Sequence, residues 1–566
     1  MSMPAPRKTV LRQRAGSVKR SLAAALLIVA CLASCRQPPA EPPVSSPASH
    51  QSVLQGDPLI LSVIPVESPR SMYEKFQPLK YYLERELGRP VTIVIARDYQ
   101  AAIADLASGA VHLSYLDPAA YCEARARHRG RVLPLVRAVG TNVAAARSVL
   151  ITKDIRGIER IVDVRGKRLA LGSQQSSFSY LIPLAMLLDV GINVKDFTSV
   201  DYMQQEDRIA LSVLIGTHDV GGISESVAKK YAADGLRIIK RSDPVPQLFL
   251  SASSVLPKAD REAVLKSLVA LKDKGILASI ERDIEGFVPA EDRDFDLVRI
   301  MIKNLTGLDY IEYGPKTVRF AVLPLYPAST IYQRYEPLMR YLSENTGFEF
   351  KLVIPKDFDE FLLIVKSGAI DFSYQNPYIF AQIDREYGIK AIAATLSEPG
   401  DEAGGGAAFR GVIITRKDSP IRTLDDLKGK RVMIVSPRSA GGFLSQKIFL
   451  AERGISAEKD LKIIDAKRQE KVILGVYNGE ADAGFVRETA LQMIKDEIDM
   501  RQIQVLTATS PLPNWPIAWT KKSNPALAQK VRQLLLALDK PEILKAARVR
   551  AFQAAQEAEL EALKKY

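Results

Sequence analysis

The sequence is poor in the residues on which most site chemistry depends. Among 566 residues there are three cysteines and four histidines. Cys31, Cys35 and Cys122 have no zinc-ligand spacing, so no structural zinc site is expected. The histidines (His50, His112, His128 and His218) form no H-E-x-x-H pattern, which removes the metalloprotease reading. Gly166-Lys167 lacks the glycines of a Walker loop and punctuates a turn instead. In Gly222-Ile223-Ser224-Glu225-Ser226 the final glycine of a nucleophile elbow is missing. No carboxylate pair stands out for acid–base work. An extracytoplasmic enzyme is therefore a remote alternative, and no cofactor or metal is expected.

Charge of one sign is in excess, but it is localised. Six of the charges behind the formal +13 lie before residue 21, at Arg7, Lys8, Arg12, Arg14, Lys19 and Arg20. Without them +7 remains over more than 500 residues, an ordinary surface charge, so nucleic acid is not an expected partner. The apolar run Leu22–Ala33 that follows is short of the roughly 20 residues needed to span a bilayer. A basic segment, a short apolar run and small residues make a secretory signal. Leu32-Ala33-Ser34-Cys35 resembles a bacterial lipobox, which implies lipid attachment at Cys35 and leaves Cys122 without a disulfide partner. The expected organisation begins with a signal peptide over 1–34 and a proline-rich tether over 35–58. The expected location is the extracytoplasmic side of a bacterial membrane.

The rest of the chain is written twice. Asp98–Tyr121 and Asp357–Phe380 share Asp98/Asp357, Ser108/Ser367, Gly109/Gly368, Ala110/Ala369, Ser114/Ser373, Tyr115/Tyr374 and Pro118/Pro377. Each copy reads as a capped helix closed by Ser-Gly, an alternating strand, and a loop ending in proline. From Tyr73/Tyr332 to Pro118/Pro377 the offset is 259; from Arg147/Arg410 to Glu225/Glu488 it is 263. A four-residue insertion near Gly404-Gly405-Gly406 accounts for the change. So long a period implies two whole domains, at 59–310 and 317–566. Alternating strands and helices predict an α/β fold with parallel sheets and right-handed crossovers. The pattern restarts after Arg147 and Arg410 and returns near Asp243–Pro246 and Ser510–Pro513, so each domain is expected to have two hinged lobes. Helices are expected over Lys258–Ala278 and Glu542–Leu563.

Candidate binding residues lie where strands hand over to helices, the edge at which open α/β sheets hold ligands. Tyr115 and Tyr374 end corresponding strands. Ser173–Pro183, a hydroxyl-rich turn after the strand Arg168–Leu171, suits an anion at a helix N-terminus or, equally, plain serine capping.

With these residues in view, both halves resemble the phosphate/phosphite/phosphonate-binding proteins of ABC transporters, which have the type 2 periplasmic-binding-protein fold. The family segment D-P-x-S-T-S-G-Y-L-x-P is matched at Ser176, Ser177, Tyr180, Leu181 and Pro183, with Phe178 in place of a serine. The second copy keeps Pro437, Ser439 and Gly442, with Arg438 nearby as a source of charge. The resemblance implies a cleft tyrosine at Tyr99 (Phe358 in the second copy) and an aromatic at Tyr121 (Phe380). The family histidine that contacts the oxyanion falls on Glu206 and Gln469, and a carboxylate that can hold a ligand amine falls on Glu225 and Glu488. The implied function is a lipid-anchored solute-binding protein for a small oxyanion or zwitterion, feeding an ABC permease. A receptor feeding a signalling partner is the alternative. Because Phe358, Phe380 and Ala440 replace hydroxyls, the first cleft is expected to be the oxyanion site.

Overall fold

The computed structural model describes residues 56–140, 146–153, 157–245, 248–281, 284–397, 408–495, 497–520 and 524–565. The expected signal peptide, Cys35, most of the tether and the glycine insertion lie outside the described residues.

Each half opens with a strand and a long amphipathic helix, and the two helices obey the same local rules. Ser68 caps Pro69–Leu87 by accepting from the Ser71 N–H at 3.2 Å, Pro69 takes the first turn, and Gly88 ends it at φ +64°. Its counterpart Ala328–Thr346 ends at Gly347, φ +76°. Met72, Phe76, Leu79 and Leu83 form the buried stripe of the first; Ile331, Tyr335, Leu338 and Leu342 form that of the second. Burying each such apolar side chain contributes about 1.5–3 kcal/mol.

These helices cover the sheet of a terminal lobe, built from the start and end of each half. In the first half the strand order is Gly286–Pro289, Val132–Val139, Leu248–Ser253, Leu113–Tyr115, Leu59–Val63, Val91–Ile95. The second half repeats it as Val549–Gln553, Lys390–Ser397, Pro516–Trp519, Phe372–Tyr374, Thr317–Val322, Glu349–Val353. The middle of each half forms an inserted lobe on a five-stranded sheet. Its central strands are Arg168–Leu171 and Val220–Ser224 in the first half, Arg431–Ile434 and Ala483–Arg487 in the second. The chain crosses between lobes twice per half. The crossings meet at the Ala146–Val245 pairing and at the short ribbon of Ala408–Phe409 with Leu512–Pro513.

Two expectations are corrected. The sheets are mixed, not parallel: Leu248–Ser253 and Pro516–Trp519 return from the inserted lobe and pair antiparallel with Leu113–Tyr115 and Phe372–Tyr374. Such return strands need no crossover helix. The long closing helix is also broken. Pro541–Ala547 stops at Arg548, φ +53°, after which Val549–Gln553 becomes an edge strand and Glu557–Ala562 a short helix. Likewise Lys258–Ala270 and Lys274–Ile280 are two helices, divided where Asp273 caps the second.

The halves dock like lobe to like lobe. Arg340 of the second terminal lobe reaches Asp294 of the first at 2.9 Å, and Lys351 reaches Asp296 at 3.6 Å. Between inserted lobes, Arg468 meets Asp189 at 2.8 Å, Arg160 donates to the Tyr477 hydroxyl at 3.0 Å, and Lys240 pairs with Glu497. Cys122 is buried, and burial pushes its thiol up to about 12, which makes it chemically inert. Among the described residues no helix is long and apolar enough to cross a membrane.

Candidate functional site

The first cleft, about 640 Å³, is lined from both lobes: Glu67, Lys75, Tyr99, Tyr115 and Asp117 from the terminal lobe, Ser176, Phe178, Glu206 and Ser224 from the inserted lobe. Its polar groups are already engaged with one another. Asp117 caps the helix Pro118–Arg127 through Oδ1, while its Oδ2 accepts the Ser177 N–H at 2.7 Å. A carboxylate from the opposite lobe therefore sits on the hydroxyl-rich turn. Ser177 Oγ in turn accepts the Ala119 N–H at 2.7 Å. Ser176 caps the π-helical turn Ser177–Leu181 by accepting from the Ser179 N–H at 3.2 Å. Glu206 Oε2 accepts the Ser224 N–H at 2.9 Å, and the Glu206 N–H donates to the Val66 carbonyl at 3.0 Å, a third bond between lobes.

The electrostatics follow from burial. Glu206 is 3% exposed and is pushed up to about 7 by desolvation, with Glu67 and Asp117 adding repulsion against the bonds from Ser224. Asp117 is pushed up to about 6, again by desolvation, opposed by the N–H groups of Ala120, Ser177 and Ala119. Burial, with Asp117 and Glu206 close by, lifts the Tyr99 hydroxyl well above its ordinary value. Glu67 pairs with Lys75 and lies 3.6 Å from Lys230. Among the described residues no group of acidic, histidine or cysteine side chains is placed to hold a metal ion.

The second cleft, about 520 Å³, differs in character. Arg334, Tyr335 and Tyr374 line it from the terminal lobe, Arg487 from the inserted lobe, and Trp515 and Arg548 from the return segments. Arg334 lies over the Tyr326 ring at 4.1 Å, and Arg487 over Phe409 at 4.6 Å and Trp515 at 6.0 Å. Among the described residues no acidic side chain lines this cavity.

The offsets seen in the sequence, carried onto corresponding elements, pair the two clefts residue by residue. Glu67, Lys75 and Asp117 correspond to Tyr326, Arg334 and Asn376; Glu206 and Ser224 correspond to Gln469 and Arg487. The backbone bond is kept: the Arg487 N–H donates to Gln469 Oε1 at 3.0 Å, as Ser224 does to Glu206. Glu281 and Arg548, which follow the matching helices Lys274–Ile280 and Pro541–Ala547, complete the set. With every acid ionised, these six positions carry a formal −3 in the first half (four acids, one base) and +3 in the second (three bases).

Of the residues singled out from sequence, Tyr99, Tyr115, Ser176 and Glu206 line the first cavity and Tyr374 the second. The others lie elsewhere. Tyr121 is fully buried against Phe295 at 4.9 Å, and its hydroxyl donates to Asp292 at 2.7 Å. Phe358 and Phe380 are core residues. Ser177 and Ser439 serve the turns, Ser439 accepting from the Gly442 N–H at 3.0 Å. Glu225 is paired with Arg241 at 3.0 Å, Glu488 is exposed outside the cavity, and Arg438 is on the surface, paired with Asp359. Gln469 is buried beneath Arg487. The expectation of an oxyanion in the first cleft stands against this lining. Three of its four hydroxyls, those of Tyr121, Ser176 and Ser177, are engaged in the protein's own network, and the Asp117 carboxylate already accepts the Ser177 N–H of the turn. Glu67, Asp117, Arg334, Arg487, Trp515 and Arg548 are not among the residues singled out from sequence, because the family motif runs through the hydroxyl-rich turn while their signal lies in pairs such as Lys75/Arg334 and Ser224/Arg487, where the halves differ.

The family model described as "ABC transporter, phosphonate, periplasmic substrate-binding protein" matches residues 61–295 and again 320–560. The chain belongs to this family, twice over. The description is of a periplasmic substrate-binding protein, and the matched tandem segments bear out the expected fold of two tandem type 2 binding-protein domains. The phosphate-import protein PhnD of Mycolicibacterium smegmatis is 27% identical over 203 residues, 34% of this chain and 62% of that one. The tetrathionate sensor histidine kinase TtrS of Salmonella typhimurium is 24% identical over 241 residues, 39% of each chain. The chain thus spans less than two thirds of the length of either relative. The structure of PhnD1 from Prochlorococcus marinus with methylphosphonate superposes with a TM-score of 0.42 at 16% identity, over 44% of this chain and 99% of that one.

Proposed function

We propose that the chain is an extracytoplasmic solute-binding protein, tethered to the membrane through Cys35, whose two clefts close on small polar solutes. The observation that carries this reading is that each cleft takes its polar lining from both lobes: Asp117 and Glu206 in the first, Arg334 and Arg487 in the second. A ligand that touches both lobes binds the closed form better than the open one, and that difference is what moves the hinge. In the first cleft the carboxylates Glu67, Asp117 and Glu206 would hold the amine of a zwitterion or an aminated solute. Delivery to an ABC permease fits the family.

A receptor role is the second reading, favoured by the docking of the halves. Like lobes are joined by Arg340–Asp294 and Arg468–Asp189, so closing one cleft pulls on the other. A carrier has no need of that linkage; a receptor does. Small-angle scattering of the full protein, titrated with 2-aminoethylphosphonate and with an oxyanion, tests the reading. Compaction with at least one ligand supports it, and no compaction with either overturns it.

A further inference from the structure

We infer that the second cleft is a site for a small organic oxyanion with an apolar body, held by Arg334 and Arg487 from opposite lobes, a mode unlike the hydroxyl-rich turn of the family segment. The inference rests on the solute-binding reading above and names the ligand class of one of its two clefts.

Four observations converge. The two guanidiniums belong to different lobes, Arg334 to the helix Ala328–Thr346 and Arg487 to the end of the strand Ala483–Arg487, and both line one cavity. Both side chains are more than nine-tenths buried, and each is stacked on aromatic rings. A stacked guanidinium directs its N–H donors along its own edge, the geometry that suits a carboxylate, sulfonate or phosphonate in bidentate fashion. Second, the walls that remain are aromatic: Tyr335, Tyr374 and Trp515 close on one another, with Tyr374 and Trp515 ring centres 5.2 Å apart. These walls suit an apolar or planar body behind the charged head.

Third, Trp515 is 6% exposed, and its Nε1–H meets no acceptor among the described residues. Buried donors are ordinarily satisfied, so an indole N–H in a cavity wall points to a ligand that accepts. Fourth, Arg548 reaches the same cavity from a left-handed backbone position, φ +53°, where glycine is the usual residue. Keeping an arginine in that conformation is unfavourable locally, and such outliers concentrate at ligand sites. The corresponding position in the first half, Glu281, follows its helix in extended backbone and carries the opposite charge.

Calorimetric titration of the full protein with phenylphosphonate, benzenesulfonate, benzoate and benzylamine tests the site. The four share a ring and differ in the head. At least one oxyanion is expected to bind one to one, with its Kd raised tenfold or more in Arg334→Gln and in Arg487→Gln and unchanged in Arg501→Gln, a surface arginine paired with Asp499 outside both clefts. Which oxyanion binds best identifies the head group. Arg548→Gly keeps the test open should the buried variants fail to fold. It is expected to weaken oxyanion binding about threefold while its melting temperature holds or rises. Binding that ignores all three arginine substitutions, preference for benzylamine at this cleft, or no binding of any oxyanion overturns the inference. If 2-aminoethylphosphonate still compacts the protein in that last case, the solute-binding reading stands and only the second-cleft assignment falls.

Discussion

Lys75 and Arg334 occupy the same position, 259 residues apart, on the opening helix of each half, yet Lys75 is paired with Glu67 while Arg334 lies over the ring of Tyr326. Glu67 and Tyr326 are themselves equivalent. One duplicated structure thus holds an ion-paired lysine in one cleft and a ring-stacked, buried guanidinium in the other. The same divergence runs through Asp117/Asn376, Glu206/Gln469 and Ser224/Arg487.

The buried acids of the first cleft predict a pH dependence. Folding raises Glu206 from an ordinary 4.5 to about 7 and Asp117 from 3.8 to about 6, so the native state favours their protonated forms. Their contribution is fully present below about pH 4 and is lost as pH rises through about 6 to 7. Thermal melting should therefore show stability falling from pH 5 to 8. Glu206→Gln should fall less, and at pH 8 it should be the more stable protein by up to about 3 kcal/mol. Glu470, also raised to about 7 by burial, titrates in both proteins, so their difference isolates Glu206. Equal pH profiles would show that Glu206 is solvated in the native state.

Asp117 predicts a gain of binding. Its carboxylate accepts the Ser177 N–H and so fills the turn with the protein's own anion. Asp117→Asn removes that charge while an amide oxygen still caps Ala120, as Asn376 caps its own helix in the second half. First-cleft affinity for methylphosphonate should rise about tenfold, in keeping with the roughly 1.5–3 kcal/mol of a hydrogen bond to a charged group. Titration of Asp117→Asn in an Arg487→Gln background measures it; unchanged or weaker binding would show that Asp117 does not block the turn.

Much of this architecture was legible in the sequence. A constant offset fixes two copies of one fold, and the breaks after Arg147 and Arg410 mark the lobe crossings. The closing helix was not legible. Glu542–Leu563 has helical composition, but Arg548 turns left-handed and Val549–Gln553 takes a sheet edge, a tertiary preference that local propensity does not carry. Side-chain direction was equally hidden. Tyr121 follows the predicted loop but turns inward to Asp292, because Arg299, 1% exposed, gathers Asp292 and Asp296 beneath it. Most of the charge of each cleft was readable in principle, since unlike pairs at offsets 259 and 263 spell it out; Glu281 and Arg548, 267 apart, are matched only by the helices they follow.

The docking of like lobes predicts shared unfolding. Arg340→Ala with Arg468→Ala removes the ion pairs of Arg340 with Asp294 and Glu291 at one interface and of Arg468 with Asp189 at the other, all partly exposed, so the loss should be modest, about 1–2 kcal/mol in total. Differential scanning calorimetry should resolve two transitions where the wild type shows one. A wild type that already melts in two steps would contradict mechanical linkage between the clefts.

The lipobox at Leu32–Cys35 predicts the anchor. Cys35→Ala should release the protein from the membrane fraction without altering its melting temperature. Retention on the membrane like wild type would remove lipid attachment from the account.

Opposite charge in the two clefts is most simply tested by seeing where ligands sit. A crystal structure grown with phenylphosphonate and benzylamine together should place the phosphonate between Arg334 and Arg487 and the amine against Glu206 and Asp117. Phosphonate on the Ser177 turn of the first half, with Asp117 displaced and the second cleft empty, would contradict it.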